Sequence, residues 1–470
     1  MKYLIAPLFF SLAICFVARS QDTLYLENTK LVHEVLVDKL TIPWDMNWGP
    51  DGWIWFNERD GHIYRLHPDT KEIQEIFVVT ETYQSWDNSG FHAFALHPEF
   101  PMVPYVYTHY TYDEYGSRLV RYTFSFDENT LVNPVVLLDQ IPGNSSHNGS
   151  RILFDENHNI LLSMGDAFSN MEAQKLNSLS GKILCLDQTG MPCEDNPFND
   201  NFTYSYGHRN PQGLCYGRDG IIYSSEHGEA TDDELNVIVK GKNYGWPLIE
   251  GFCDYVSEQA ICDTVDLEEP IFIWTPTSAP CGLAYFDHES IPEWRHSLIQ
   301  TFLKDKRFSV LPLTDDGLAI KDDVEWKIYE QRFGRIREVL VTPTGRLFIS
   351  TSNEETNGQW VPKDDYDKII EIINPDFEYP AFVPEISSFQ AQVFPNPATD
   401  NLWVSLDTKE NEVQIEMTDL QGNLVYQETK SNEIFDGFWQ LILPELESGI
   451  YSLNCYYGSN KLSKKIVIAN

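Results

Sequence analysis

The chain has 470 residues, 42% hydrophobic and 13% aromatic, enough apolar material for one large globular domain and a small one. Its 71 acidic residues against 33 basic ones leave a formal net charge of −38. That charge argues against nucleic acid or an anionic membrane surface as a partner, because both would repel it.

In chain order, the first element reads as an export signal. Lys2 precedes an apolar run from Tyr3 to Val17, and Ala18 and Ser20 place small residues where signal peptidase cuts. Residues 1–20 are therefore expected to be removed before Gln21. No later segment approaches the ~18 apolar residues of a membrane span. The mature protein is expected to be soluble and exported, a setting that permits disulfides. Cys253 and Cys262 share the loop GFCDYVSEQAIC and are expected to pair. Cys185 and Cys193, flanking LDQTGMP, form a second candidate pair. Cys215, Cys281 and Cys455 remain, so at least one thiol stays free in a monomer. No CxxC or His/Cys spacing suggests zinc.

Residues 21–374 repeat one phrase, an apolar pair, a turn with Pro, Asp or Gly, and an alternating strand. The copies are WGPDGWIWFNERDGHIYRL from Trp48, ALHPEFPMVPYVYTHYT from Ala95 and RILFDENHNILLSMGD from Arg151. GLCYGRDGIIYSSEHG from Gly213, GLAYFDHESIPEWRHSLIQTFL from Gly282 and VLVTPTGRLFISTSNE from Val339 complete the set. Six such units without helical periodicity predict an all-β, six-bladed propeller. A β-sandwich also alternates, but it would not repeat one strand–turn–strand phrase six times.

Residues 375–389 are proline-rich and read as a linker. From 390 to 470 a compact β pattern predicts a small C-terminal sandwich: FPNP near its start, then DLQGN, GIY and a basic KLSKK near the end. In combination these resemble the C-terminal sorting domain of the type IX secretion system, and imply that machinery as a partner and the cell surface or medium as a destination.

The densest chemistry lies in GHRNPQG (Gly207 to Gly213), SEHG, and DDELNVIVKGKNYGWP (Asp232 to Pro247). Arg209, Lys304, Arg335 and Arg337 fall at or near strand edges in different repeats. A chain at −38 that brings cations to several blade loops is expected to gather them around an anion. The motif order from IPWDMNWGPDG to GRIREVLVTPTG resembles the soluble glucose and aldose sugar dehydrogenases that use pyrroloquinoline quinone (PQQ). The resemblance spans about residues 41–375, the whole six-blade region. It implies hydride transfer from a small sugar to PQQ, a planar tricarboxylate, with electrons passing on to an external acceptor. His147 matches the family's base, Asp166 the carboxylate that orients it, and Arg337 a group stabilising the developing oxyanion. Arg209, Asn210, Thr277, Lys304, Arg335 and Arg337 match cofactor contacts. Ca2+ is implied at the backbone carbonyls of Gly228 and Glu229, and Asp233, Glu234 and Tyr244 match a second, structural calcium region.

The sequence departs from the glucose enzymes at several positions. Glu229 stands where proline is usual, His227 where they have glutamine, and Ser146 where an acidic residue contacts the sugar. The loop after Asp166, AFSNMEAQKLNSLSGK, differs as well. Glucose itself is therefore not assured as the substrate. Two other readings stay open: a calcium-dependent lactonase, with one metal among side-chain carboxylates, and a non-catalytic binding propeller.

Overall fold

The computed structural model describes residues 23–85, 88–126, 128–353 and 367–380, and, beyond the linker, 392–394, 398, 401–406, 412–431, 438–444, 446–458 and 460–468. The expected signal peptide and most of the expected linker lie outside these residues. Among the described residues no helix is long and apolar enough to cross a membrane.

Six antiparallel sheets follow one another as blades. Blade one contains Pro43–Trp48, Ile54–Glu58, His62–Leu66 and Ile73–Val78; blade two Phe91–Leu96, Tyr105–Thr111, Gly116–Ser125 and Thr130–Pro142. Blade three contains Ile152–Phe154, Ile160–Met164, Lys182–Leu186 and Thr203–Tyr206; blade four Pro211–Tyr216, Ile222–Glu226, Asp233–Ile238 and Phe272–Trp274. Blade five contains Pro280–Phe286, Ser297–Phe302, Arg307–Pro312 and Trp326–Ile328. Blade six takes Ile336–Val341, Leu347–Thr351 and Asp367–Ile373 from the end of the repeat region. Its fourth strand comes from the beginning: Lys30–Leu40 pairs antiparallel with Asp367–Ile373, Val32 opposite Ile373 and Val35 opposite Ile370. This join closes the circle. The first strand of each blade touches the first strand of the next, including blade six with blade one, so the inner strands ring a central axis.

The blades explain the sequence phrase. A second strand is sandwiched between neighbouring blades and must be apolar on both faces, as in a parallel-sheet interior. Ile54–Glu58, Ile160–Met164 and Leu347–Thr351 are buried at every position. Trp55 of blade one meets Phe100 and Phe124 of blade two edge-on, at 5.7 and 5.2 Å.

The axis itself is closed by polar groups. Arg151, just ahead of the inner strand of blade three, pairs with Asp45 of blade one at 3.0 Å and Glu338 of blade six at 2.6 Å. Its Nε donates to the Gln212 carbonyl of blade four at 3.1 Å. Cys281 of blade five donates to the Gln212 side chain, and the Phe94 amide of blade two donates to Asp45. Each blade thus contributes to one buried network. Burial raises both carboxyls and Arg151 opposes the rise.

Both expected disulfides are present, Cys185–Cys193 and Cys253–Cys262, and Cys215, Cys281 and Cys455 form no disulfide among the described residues. The C-terminal region is a sandwich. Gln392–Phe394, Asn401–Ser405 and Phe438–Ile442 form one sheet; Leu424–Ser431, Glu412–Thr418, Gly449–Tyr457 and Asn460–Ile468 form the other. Leu402 and Val404 point into its core beside Ile415, Leu441 and Leu453. Trp403, between them, points the other way by strand alternation. Its ring meets Phe126 of blade two at 4.9 Å and is 5% exposed. The linker composition gave no sign of that contact.

Candidate active site

In a blade of four antiparallel strands, the connection entering the inner strand and the turn between the second and third strands open on the same face. His147, Arg209, Asn210, Thr277 and Arg335 lie on connections that enter inner strands, and Asp166, Gly228, Glu229 and Lys304 on turns between second and third strands. Residues far apart in sequence therefore meet at one mouth.

Two glycines bring the base to its carboxylate. A Cβ on Gly165 would sit 2.0 Å from the His147 carbonyl oxygen, and one on Gly149 2.6 Å from the Gly165 nitrogen. Only glycine lets the HNG and GDA backbones touch. His147 Nδ1 then lies 2.8 Å from Asp166 Oδ1. Asp166 is fully buried, while His147 keeps 12% exposure. The second Asp166 oxygen accepts the Trp246 indole N–H at 2.8 Å, and the Phe168 amide donates to Oδ1 at 2.9 Å. With Asp166 as acceptor, His147 carries its proton on Nδ1. Its Nε2 has no hydrogen-bond partner among the described residues. The backbone of His147, Ser150, Ala167 and Phe168 is left-handed, at φ 59°, 87°, 49° and 61°. Strain of this kind collects at functional sites.

The neighbouring histidine is built differently. His227 donates Nε2–H to the Pro280 carbonyl at 2.8 Å and takes the Asn210 amide at Nδ1. Burial and the nearby Arg209, His147 and Arg337 push its pKa down to about 3. Both nitrogens are engaged and the lowered pKa makes the ring a poor proton acceptor, so it is not placed to act as the base. That Arg209, His147 and Arg337 all act on His227 also shows how tightly these groups converge.

Arg209 spends one Nη on the His227 carbonyl at 3.0 Å and lies 5.1 Å from the Trp246 ring centre. Its buried Nε has no partner, and it makes no ion pair among the described residues. Lys304 likewise has no ion pair there, and its Nζ donates to Thr277 Oγ1 at 2.7 Å. Neither cation closes an ion pair among the described residues, although Arg209 acts on Glu250 and Lys304 on Asp233 from farther away; with a buried Arg209 donor left over, they fit an anionic ligand. Arg335 donates Nε–H to the Ser352 carbonyl at 3.1 Å.

Arg337 is placed deeper than the sequence suggested. It is fully buried, 3.7 Å over the Trp44 ring, with Nε on Ser352 Oγ and Nη1 near Cys281 Sγ. It forms the floor of the site.

The turn from Gly228 to Asp232 is tight, since a Gly228 Cβ would sit 1.9 Å from the Thr231 carbonyl oxygen. The Gly228 and Glu229 carbonyls accept no hydrogen bond among the described residues. Glu250 accepts the Glu229 amide. Burial raises the Glu250 carboxyl, and Asp232 and Glu229 push the same way. Free carbonyls beside carboxylates suit a hard cation. The second calcium region is otherwise. Asp233 uses both oxygens on the amides of Gly228, Ser278 and Ala279, and its pKa is raised to about 6 by burial. Glu234 accepts from Gly251 and Asn236, and the Tyr244 hydroxyl joins Val237 and Val239. These side chains hold backbone, and no group of three His, Cys, Asp or Glu side chains gathers as a metal cage among the described residues.

Sequence reasoning missed Trp246, Glu226 and Phe168. Trp246 lies in the quoted GWP, on a long excursion between the last two strands of blade four. Glu226 fixes the Arg209 amide at 2.7 Å and pairs with His208 at 2.9 Å. Phe168 stacks on His147, ring centres 4.1 Å apart.

Residues 40–361 match the family model described as glucose/sorbosone dehydrogenase, and residues 392–469 that of the secretion system C-terminal sorting domain. The chain is 35% identical over 254 residues to a quinoprotein glucose dehydrogenase B of Acinetobacter calcoaceticus, covering 47% of this chain and 53% of that one. It is 28% identical over 342 residues to an aldose sugar dehydrogenase of Escherichia coli, covering 69% and 91%. Among solved structures, the PQQ-bound aldose sugar dehydrogenase of Streptomyces coelicolor superposes with a TM-score of 0.63 at 29% identity, covering 73% of this chain and 98% of that one.

Proposed function

This chain belongs to the glucose/sorbosone dehydrogenase family and ends in a secretion-system sorting domain, and from that premise we propose that it oxidises the reducing-end hydroxyl of an aldose to a lactone, using PQQ and Ca2+. The observation that carries the proposal is His147: its Nδ1–H is held by a buried carboxylate, its Nε2 has no hydrogen-bond partner among the described residues, and its connection opens on the same face of the propeller as those of Arg209 and Lys304.

When bound, PQQ supplies a two-electron, hydride-accepting carbonyl, and Ca2+ a Lewis acid at that carbonyl. Arg209, Asn210, Thr277, Lys304 and Arg335 would hold the cofactor's carboxylates and edge, and the carbonyls of Gly228 and Glu229 the calcium. His147 Nε2 accepts the proton of the sugar hydroxyl as the hydride leaves carbon. Asp166 fixes the tautomer and stabilises the imidazolium that forms, held in turn by the Trp246 N–H. Arg337 acts from the floor, its charge favouring the developing oxyanion. The two electrons taken from the sugar would leave through an external acceptor.

The test is dye reduction by the apoprotein supplied with PQQ, Ca2+ and a panel of aldoses. Lys304→Ala and Arg209→Ala each remove a charge-assisted donor worth about 1.5–3 kcal/mol, so half-maximal reconstitution should need roughly tenfold to a hundredfold more PQQ. For Lys304→Ala the apoprotein melting temperature should hardly move, because the side chain is exposed and its hydrogen bond to Thr277 lies at the surface. A calcium-dependent lactonase would hydrolyse lactones with no quinone requirement, and a binding propeller would turn over nothing; either result removes the proposal.

The sorting domain supports secretion or surface display. We further propose passage across the inner membrane by the signal at residues 1–20 and across the outer membrane by the type IX machinery. Deleting residues 390–470 should leave the enzyme inside the outer membrane of its host. Normal appearance of the truncated protein outside the cell would contradict this.

A further inference from the structure

The loop after Asp166, residues 167–182, puts an aromatic ring against the base. Phe168 stacks on the His147 imidazole at 4.1 Å with 32° between the planes, yet 52% of its surface is exposed. Ala167 and Phe168 are consecutive left-handed residues, and neither is glycine. An apolar ring held outward on such a backbone gains nothing for the core.

The position is also fixed. The Phe168 amide donates to Asp166, the Ser169 amide to the Asp166 carbonyl at 2.8 Å, and the Ala167 amide to the His147 carbonyl at 3.1 Å. Further along, the buried Lys182 ammonium donates to the carbonyls of Glu172, Ala173 and Ser180 at 3.0, 2.8 and 2.6 Å. Met171, on the same loop, is 56% exposed. The loop is thus a braced platform that exposes Phe168 and Met171 among the polar Ser169, Asn170, Lys175 and Asn177, with the Phe168 ring lying against the imidazole.

We infer that Phe168 is a specificity-determining residue which packs against the second pyranose of a reducing disaccharide while the first presents its anomeric hydroxyl to His147. The inference rests on the dehydrogenase reading. The reacting hydroxyl must meet Nε2, so a ring linked to the reacting sugar extends over the surface next to that imidazole. Pyranose rings have C–H-rich faces that pack on aromatic rings, and a preorganised ring binds them without an ordering cost.

The experiment compares kcat/KM for cellobiose and maltose with kcat/KM for glucose, in the PQQ- and Ca2+-loaded wild type, Phe168→Ala and Phe168→Tyr. The wild type should favour at least one disaccharide. Phe168→Ala should lower that disaccharide-to-glucose ratio by about tenfold, mainly through KM, whatever change both substrates share. Phe168→Tyr, which keeps the ring, should restore the ratio. An unchanged ratio in Phe168→Ala while glucose is still oxidised overturns this inference alone. So does a change confined to the KM of the electron acceptor, which would assign the ring to acceptor docking. Failure of the loaded wild type to oxidise any sugar overturns the dehydrogenase reading and this inference with it.

Discussion

His147→Ala should lower kcat by about two to four orders of magnitude while leaving PQQ affinity within a few fold of wild type. The imidazole has one nitrogen committed to Asp166 and the other at the mouth. The cations proposed for the cofactor lie on other blades, so removing the ring deletes proton acceptance without touching their donors. His227 cannot substitute, because its pKa is pushed down to about 3 and both its nitrogens are engaged. Asp166→Asn belongs to the same prediction. Three N–H groups converge on the Asp166 carboxylate, from His147, Trp246 and Phe168. An amide would set its own NH2 against one of them, losing either the tautomer or the ring orientation. Its kcat should fall by about three orders or more. Single-turnover reduction followed at saturating sugar, with PQQ occupancy measured separately, distinguishes lost chemistry from lost cofactor. Near-normal turnover by His147→Ala would refute the base assignment.

Arg151→Met should destabilise the propeller by about 3–5 kcal/mol, the usual effect of breaking a buried ion network by removing one partner. Arg151 is 6% exposed and is the counter-ion to both Asp45 and Glu338, each 5% exposed. Without it Asp45 and Glu338 face each other stripped of their shared ion-pair partner. A melting-temperature loss of roughly 5–10 °C is expected by calorimetry. Adding Asp45→Asn and Glu338→Gln to Arg151→Met should recover most of the loss, since it is the unpaired charge that costs stability. A single variant as stable as the wild type would show that the inner strands hold the axis by packing alone.

The six units were legible because second strands buried on both faces leave near-continuous apolar runs, and hairpin turns leave Gly, Pro and Asp. Circular closure was not, because Lys30–Leu40 carries ordinary strand alternation and nothing in it names Asp367–Ile373 as its partner. His147, Asp166 and the cations were found as motif matches, and the two-face topology then accounts for their meeting. The depth of Arg337 could not be read, since burial depends on Trp44, Cys281 and Ser352 from three separate segments. Asp233, Glu234 and Tyr244 were placed in a calcium region by the resemblance alone, and the sequence could not show that their side chains also hold backbone amides and carbonyls and Asn236. Trp246 was in view within its motif, but its partner lies 80 positions away. Phe168 left no signal beyond a loop that differs, because its meaning lies in a stacking distance.

The central claim is that the mouth of this propeller binds PQQ. Titration calorimetry of the wild-type apoprotein with PQQ in excess Ca2+ tests it most directly, needing neither the right sugar nor the right acceptor. The account predicts saturable 1:1 binding with a dissociation constant of about 1 μM or tighter, weakened roughly tenfold to a hundredfold in Lys304→Ala. No heat of binding at tens of micromolar PQQ, from protein that melts cooperatively, would contradict it.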